Sequence, residues 1–303
     1  MATRANIQTG TVAAPRAGAE SPGPGFYVRQ IVRYVMMAVV TLLLLGPFIL
    51  AFFGSFKTTA EVLAWPPTLL PTQIRLENYN DVWNVLKDPN GNSYLPRWLF
   101  NSALLSATVV LTQLFFCSLA AYAFARLRFP GREAILAAAL ATLMVPGMVI
   151  LIPKYQILNA MHLLNSYGGI ILPGLVGASG IFLLTQFFRS IPRDLEEAAY
   201  IDGAGIFTTY WRIVLPLARP ALATLAVLTF QGVWNDFLTP LVVMNTADMY
   251  PLTVGLSFLK GQFGVFYNLV LAGSMFNTIP MLILFTIFSR FYVQGSTYAG
   301  VKG

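Results

Sequence analysis

Ile191-Pro192-Arg193-Asp194-Leu195-Glu196-Glu197-Ala198-Ala199-Tyr200-Ile201-Asp202-Gly203-Ala204-Gly205 runs directly into Ile206-Phe207-Thr208-Thr209-Tyr210-Trp211-Arg212-Ile213-Val214-Leu215-Pro216. This polar segment is bounded by two long apolar runs, 167–188 before it and 217–243 after it. It reads as a short helix, a glycine break, and a second helix that feeds the following run. Asp194 is expected as the N-cap, with Glu197 three residues on completing an Asp-x-x-Glu variant of the capping box. Gly203 and Gly205 can supply the positive φ that ends a helix. Leu195, Ala198, Ala199 and Asp202 to Gly203 share one face, kept shallow by alanine. A face of that shape suits docking into a groove on another protein.

The apolar runs on either side are not exceptional in this chain. Of 303 residues, 56% are hydrophobic and 10% charged, against roughly 25% charged in a soluble domain. The solvent is therefore a membrane, and the question is how many spans there are. A spanning helix needs about 20 mostly apolar residues, and six segments qualify: 34–56, 99–124, 134–153, 167–188, 217–243 and 269–289. Asp236 is the only carboxylate within them. Pro47, Pro146, Pro173 and Pro280 interrupt several and are expected as kinks within a bundle. The expected fold is all-α and polytopic, with six transmembrane helices in one permease-like domain, 29–303. Residues 1–28 are rich in Ala, Gly, Pro, Thr and Ser and are expected to be a disordered tail. In it, Ser21-Pro22-Gly23-Pro24-Gly25 is read as unable to hold a helix.

The net charge of +7 does not indicate nucleic acid, because the basic residues are scattered through short connections with no basic helix face. They indicate orientation instead. Lys and Arg favour cytoplasmic loops, and the short Arg126-Leu127-Arg128-Phe129-Pro130-Gly131-Arg132 connection weighs most. Both termini are then cytoplasmic, the loop 57–98 faces outward as a partly folded cap, and 191–216 lies inside. Cys117 and His162 are the only residues of their kinds, so neither an internal disulfide nor a Cys/His metal set is expected. No Gly-x-x-x-x-Gly-Lys-Ser/Thr occurs; none of the five lysines ends a glycine-rich loop. The chain is not expected to be an enzyme.

At this point the loop carries a resemblance. Glu197-Ala198-Ala199, Gly203, Ile213 and Leu215-Pro216 fill the positions of the EAA loop of binding-protein-dependent ABC importer permeases. With the order of six spans, Trp234-Asn235-Asp236-Phe237 and the terminal Gly300-Val301-Lys302-Gly303, the chain resembles the MalG-type carbohydrate permeases. The long N-terminal tail departs from that pattern. The resemblance implies a type I ABC importer transmembrane fold in a bacterial plasma (inner) membrane, and a coupling helix at 195–202. Glu197, Ala198, Ala199, Asp202, Gly203, Leu215 and Pro216 would form its ATPase-coupling set. It also implies partners: a dimer of cytoplasmic ATPase subunits carrying ATP and Mg, a second, MalF-type permease, and an extracytoplasmic solute-binding protein. This chain itself would carry no cofactor. Glu197 has a plainer reading as well, as a cap of its own helix.

The transport path should be lined by polar residues within spans, which are costly facing lipid. Asn101 and Gln113 are candidates, and Gln231, Trp234, Asn235, Asp236 and Asn277 form the main set. An indole can stack on a sugar ring while amide and carboxylate bond its hydroxyls. Against this, Trp234 could belong to an aromatic belt, Asp236 could sit hydrated near the interface, and Asn277 could bond between helices. A sugar or oligosaccharide leads as cargo, with glycerol-phosphate or a polyol behind it. A secondary transporter is the remote alternative; it would need several intramembrane acids or matching halves, and only Asp236 is present.

Overall fold

The computed structural model describes residues 24–260 and 266–299, with side chains for 25–259 and 266–288. It divides into two compact units, Met1–Leu50 and Ala51–Gly303. The first unit holds most of α1 (Pro24–Gly54), a 31-residue helix whose most apolar stretch has no buried residue. The helix takes in residues 24–28, which the sequence reading gave to the tail. Proline at the first helical position needs no amide donor and has its φ already set, so Pro24 can open α1. The remainder of the expected tail, 1–23, lies outside the described residues, as do residues 300–303.

Most of the second unit is a helical bundle around α4 (Leu95–Arg126). At 1.5 Å per residue α4 is about 48 Å long, well beyond the ~30 Å of bilayer hydrocarbon, so its ends leave the membrane. α8 (Ala178–Ser190) and α12 (Arg219–Trp234) flank α4, and α15 (Tyr267–Ala299) packs on α12. Gly180 makes the three-helix contact possible: a Cβ there would sit 3.0 Å from Leu225 and 3.2 Å from the Cys117 sulfur. Cys117 is fully buried at that seam, alongside Leu184, Phe188 and Leu225.

Four helices are long and apolar enough to cross a membrane as they stand, and two bent pairs raise the number to six. The first pair joins α5 (Arg132–Ala141) and its 3₁₀ extension Thr142–Met144 to α6 (Gly147–Ala160), bent by 103°. The expected span 134–153 is thus not one helix. Val145 adopts an extended conformation ahead of Pro146, as a residue before proline must when it leaves the α region; Pro146 is a break and not a kink. α7 (Gly168–Gly174) and α8 together make the fourth span. The second bent pair is Ile206–Leu217 with α12, at 75°. The expected fifth span also ends early: α12 stops at Trp234 and a separate short helix, α13 (Leu238–Val243), follows.

The loop 57–98 holds two short helices, α2 (Thr59–Leu63) and α3 (Glu77–Val85). Asn78, 1% exposed, ties it down by donating to the Ser55 and Lys57 carbonyls, both at 2.8 Å, and accepting from Asn268 of α15 at 3.0 Å. Lys57 is buried and donates to Thr68. On the same side, α14 (Leu252–Ser257) lies against the indole of Trp98.

Candidate functional site: docking loop and polar break

The polar segment folds as a helix, a glycine stop and a helix, with three departures from expectation. α9 runs Asp194–Ile201 and begins one residue earlier than the capping box required. Arg193 is the cap residue and is itself in the right-handed helical region, so Asp194 lies inside the first turn and makes no cap hydrogen bond. Asp194, Glu196 and Glu197 all occupy that turn, where negative charge meets the positive end of the helix dipole. Gly203 has φ +82° and ends α9. Its amide bonds the Tyr200 carbonyl at 3.0 Å while Ala204 reaches back to Ala199 at 2.9 Å. Gly205 does not share this role; at φ −79° it is extended and starts α10 (Ile206–Thr209).

The third departure concerns the face. Ala199 points into the protein with Glu196, whereas Leu195, Glu197, Ala198, Ile201 and Asp202 are exposed. Leu195, Ala198 and Ile201 follow at steps of three and lie on one side of the helix, and Ile201 is 86% exposed. Ala199 therefore packs the helix down while the other members of the expected set present its outer surface. Glu197 makes no side-chain hydrogen bond or ion pair among the described residues, leaving its carboxylate free.

What holds α9 in place was not anticipated. Glu196 is buried and pairs with Arg126, the last residue of α4, with Oε1 and Nε 2.6 Å apart and both side chains about 5% exposed (5% and 6%). The two atoms meet as an ion pair without hydrogen-bond alignment. The geometry is reinforced by Arg126 Nη2 donating to the Ile191 carbonyl at 2.7 Å and by the Tyr122 hydroxyl 3.5 Å from Glu196 Oε2. The second helix of the segment is clamped as well. Tyr210 opens a π-helical turn, Tyr210–Val214, and its hydroxyl lies 2.7 Å from Ser118 Oγ of α4. After that turn, α11 (Leu215–Leu217) leads into α12. Leu215 packs against the cluster of Tyr210, Val214 and Ala218, and Pro216 is exposed. Leu215-Pro216 thus shapes the entry to the span and is not part of the outer face of α9.

The candidate path residues separate into two groups. Asn101 is fully buried and spent on structure: it donates to the Asp248 and Tyr250 carbonyls (2.8 and 2.9 Å) and accepts from Tyr167 at 2.7 Å. Gln113 likewise bridges Gly174 and Thr229. Trp234 is 3% exposed, stacks on Phe230 with centroids 5.2 Å apart, and donates its Nε1–H to the Asn277 carbonyl at 3.1 Å. Its ring is occupied within the protein.

The others surround the end of α12. Gln231 and Asn235 are exposed and Asp236 is half-buried. Asp236 Oδ1 accepts from the Thr239 amide at 3.2 Å, opening α13, and its carbonyl accepts from Thr253 at 2.9 Å. Asn277 donates to Asn235 Oδ1 at 3.2 Å, which supports the interhelical reading, yet its own Oδ1 is buried with no hydrogen-bond partner. Asn277 also lines a cavity of about 340 Å³ with Thr253, Ser257 and Ser274. Asp236 lines another, of about 800 Å³, with Lys154 and an otherwise mostly apolar wall from α6. Irregular backbone at membrane depth is tolerated where it is buried in protein or borders a wet cavity, and the break at 235–237 adjoins both spaces. Among the described residues no His, Cys, Asp and Glu cluster could hold a metal.

Fold and site together define a multi-pass helical membrane protein whose bundle carries a polar, interrupted helix, an arrangement that suits transport. The family described as binding-protein-dependent transport system inner membrane component matches residues 21–294, and the chain belongs to it. The arabinooligosaccharides transport system permease protein AraQ of Bacillus subtilis strain 168 is 34% identical over 282 residues, 92% of this chain and 98% of AraQ. The sn-glycerol-3-phosphate transport system permease protein UgpE of Yersinia enterocolitica is 33% identical over 266 residues, 86% of this chain and 94% of its own. A crystallised bacterial ABC transporter involved in import of the acidic polysaccharide alginate aligns with TM-score 0.75 and 25% identity, over 90% of this chain and 99% of that one. This chain is accordingly a transport permease of the type I importer fold, a membrane subunit of a binding-protein-dependent importer.

Proposed function

We propose that the chain forms half of the translocation path of an ATP-driven importer and receives its work through α9. The observation carrying this is the outer surface of α9. Leu195 and the nearly bare Ile201 flank Ala198 on a helix outside the apolar spans, with the free Glu197 carboxylate beside them. Apolar side chains so exposed, on a helix pinned from behind by a buried ion pair, call for a protein partner. A dimer of cytoplasmic ATPase subunits supplies it, holding ATP and Mg, and Gly203 keeps the end of the helix slim enough to enter a groove. A MalF-type permease completes the path and a solute-binding protein delivers cargo from outside, in a bacterial plasma (inner) membrane with both termini cytoplasmic. ATP binding draws the docked helices together and alternates access across the bundle.

The cargo is a sugar or oligosaccharide, with glycerol-phosphate or a polyol second; the names of the relatives cover both kinds. Within the path, Asn235, Asp236, Asn277 and Gln231 meet the hydroxyls, and Trp234 supports Asn277 from behind. Reconstituting the complete transporter with its binding protein tests all of this. Oligosaccharides should stimulate ATP hydrolysis and glycerol-phosphate should not; stimulation by glycerol-phosphate alone would reverse the order. Failure of an ATPase subunit to co-purify would overturn the docking assignment. An Asp236→Asn variant should lower uptake with assembly intact, and unchanged affinity, specificity and transport would remove Asp236 from the path.

A further inference from the structure

Between the end of α4 and the start of α5 lies a cavity of about 520 Å³, lined by Arg128, Arg132, Arg193, Glu133, Phe129 and Gly131 among others. Its charges do not cancel. The one carboxylate is already engaged, with Glu133 Oε1 accepting from Arg132 Nη2 at 2.7 Å and Arg189 Nη2 at 3.2 Å. Arg128 and Arg193 have no side-chain partner among the described residues. Gly131, at φ +76°, starts α5 and gives its first turn no side-chain cap. The amides of that turn add partial positive charge to the same space.

The surroundings of the cavity identify its occupant further. α4 leaves the bundle at Arg126 and α5 begins a bent span at Arg132, so the connection between them lies where a membrane meets water. One turn into α5 the surface becomes apolar, with Ile135 53% exposed and Ala134, Ala137 and Ala138 beside it, also exposed. A soluble anion would use only the arginines. A ligand with a phosphate head and a hydrocarbon tail would use the arginines and the apolar helix together.

We propose that this cavity binds the phosphodiester headgroup of an anionic phospholipid through Arg128 and Arg193, with its acyl chains along the exposed side of α5. Basic pockets at the membrane face between spans recognise such headgroups by charge, and paired guanidiniums suit phosphate oxygens geometrically. Because Arg193 is the cap residue of α9, a bound headgroup would sit at the N-terminal end of that helix.

The test uses the complete transporter in nanodiscs of phosphatidylcholine mixed with phosphatidylglycerol, with retained lipid counted by native mass spectrometry. Wild type should retain phosphatidylglycerol preferentially. Arg128→Gln and Arg193→Gln should each reduce that preference about fivefold, whereas Arg128→Lys with Arg193→Lys should keep most of it and show that the loss is not one of folding. Undiminished preference in the double glutamine variant overturns the proposal. So does displacement of the lipid by inorganic phosphate at matched concentration, which would make this a free-anion site. Preferential retention seen only after the ATPase subunits are stripped away also overturns it, since the arginines would then belong to the protein interface.

Discussion

Replacing Glu196 by Gln removes the negative partner of Arg126 without changing the shape of the side chain, and leaves a guanidinium buried with its charge uncompensated. Deleting one member of a buried pair costs about 3–5 kcal/mol. Arg126 keeps its 2.7 Å bond to the Ile191 carbonyl, which places the expected cost near the lower bound, about 3 kcal/mol. If the loss falls on the attachment of α9 to α4, local opening of 191–205 becomes roughly a hundredfold more frequent, since each 1.4 kcal/mol is a factor of ten. Hydrogen exchange followed by mass spectrometry on peptides from that segment reads this directly. The Arg126→Met/Glu196→Leu double variant should recover most of the protection, because a buried pair replaced on both sides by apolar groups of similar size is close to neutral. Exchange in Glu196→Gln within threefold of wild type would refute the clamp. A double variant as labile as the single one would show that the charges matter individually and not as a pair.

Gly203→Val forces a β-branched residue to φ +82°. A Cβ there meets nothing within 4 Å, so the cost is conformational, about 1–2 kcal/mol. It should reduce ATPase co-purification and uptake together, and normal values of both would sink the docking role of that turn. Gly255→Ala puts a methyl into the ring of Trp98, which is 2% exposed and held by its Nε1–H on the Ala247 carbonyl at 2.7 Å. The expected destabilisation is about 1–3 kcal/mol, and an unchanged thermal midpoint would contradict the packing. The Glu61 carboxylate accepts from the Thr72 amide at 2.8 Å and its hydroxyl at 2.9 Å, and the amide bond chiefly lowers its pKa. A depressed folded pKa gives stability that is present above the ordinary glutamate value of about 4.3 and lost as pH falls through the folded value. The Thr72 amide should therefore lose exchange protection, relative to Glu61→Gln, only below that range; an effect near neutral pH would point elsewhere.

The spans and the loop were legible because their signals are local and additive. Twenty apolar residues identify a span whatever surrounds them, and Gly203 ends α9 because glycine meets the backbone requirement by itself. The breaks were not legible. A helix that stops at Trp234 and resumes at Leu238 has nearly the same hydropathy as one that continues, and Pro146 fits a kink as well as a turn of 103°. Asp194 had the right type and spacing for a cap, but its neighbour Arg193 adopts helical geometry and displaces the boundary by one residue. Arg126 was read as a marker of orientation because a sequence shows its charge but not Glu196, 70 positions away and 2.6 Å distant. Two acidic residues side by side, one buried and one free, were the available signal. Trp234 shows the opposite case: its chemistry suits a sugar, but a sequence does not show that Phe230, one turn earlier, stacks on its ring.

The bend of 75° between Ile206–Leu217 and α12 makes this stretch a bell crank. Its corner is Ala218, with no exposed surface, wedged among Tyr210, Val214 and Leu222 as a fulcrum must be. One arm is about 18 Å long and the other about 24 Å; with α9 docked as proposed, a sideways push of a few ångströms at the Ile206 end would emerge turned through nearly a right angle and slightly enlarged at Trp234. The gearing is set by where the corner falls in the chain. Moving it by one turn would change the stroke delivered to Asn235 and Asp236 without altering any residue of the proposed path or docking face.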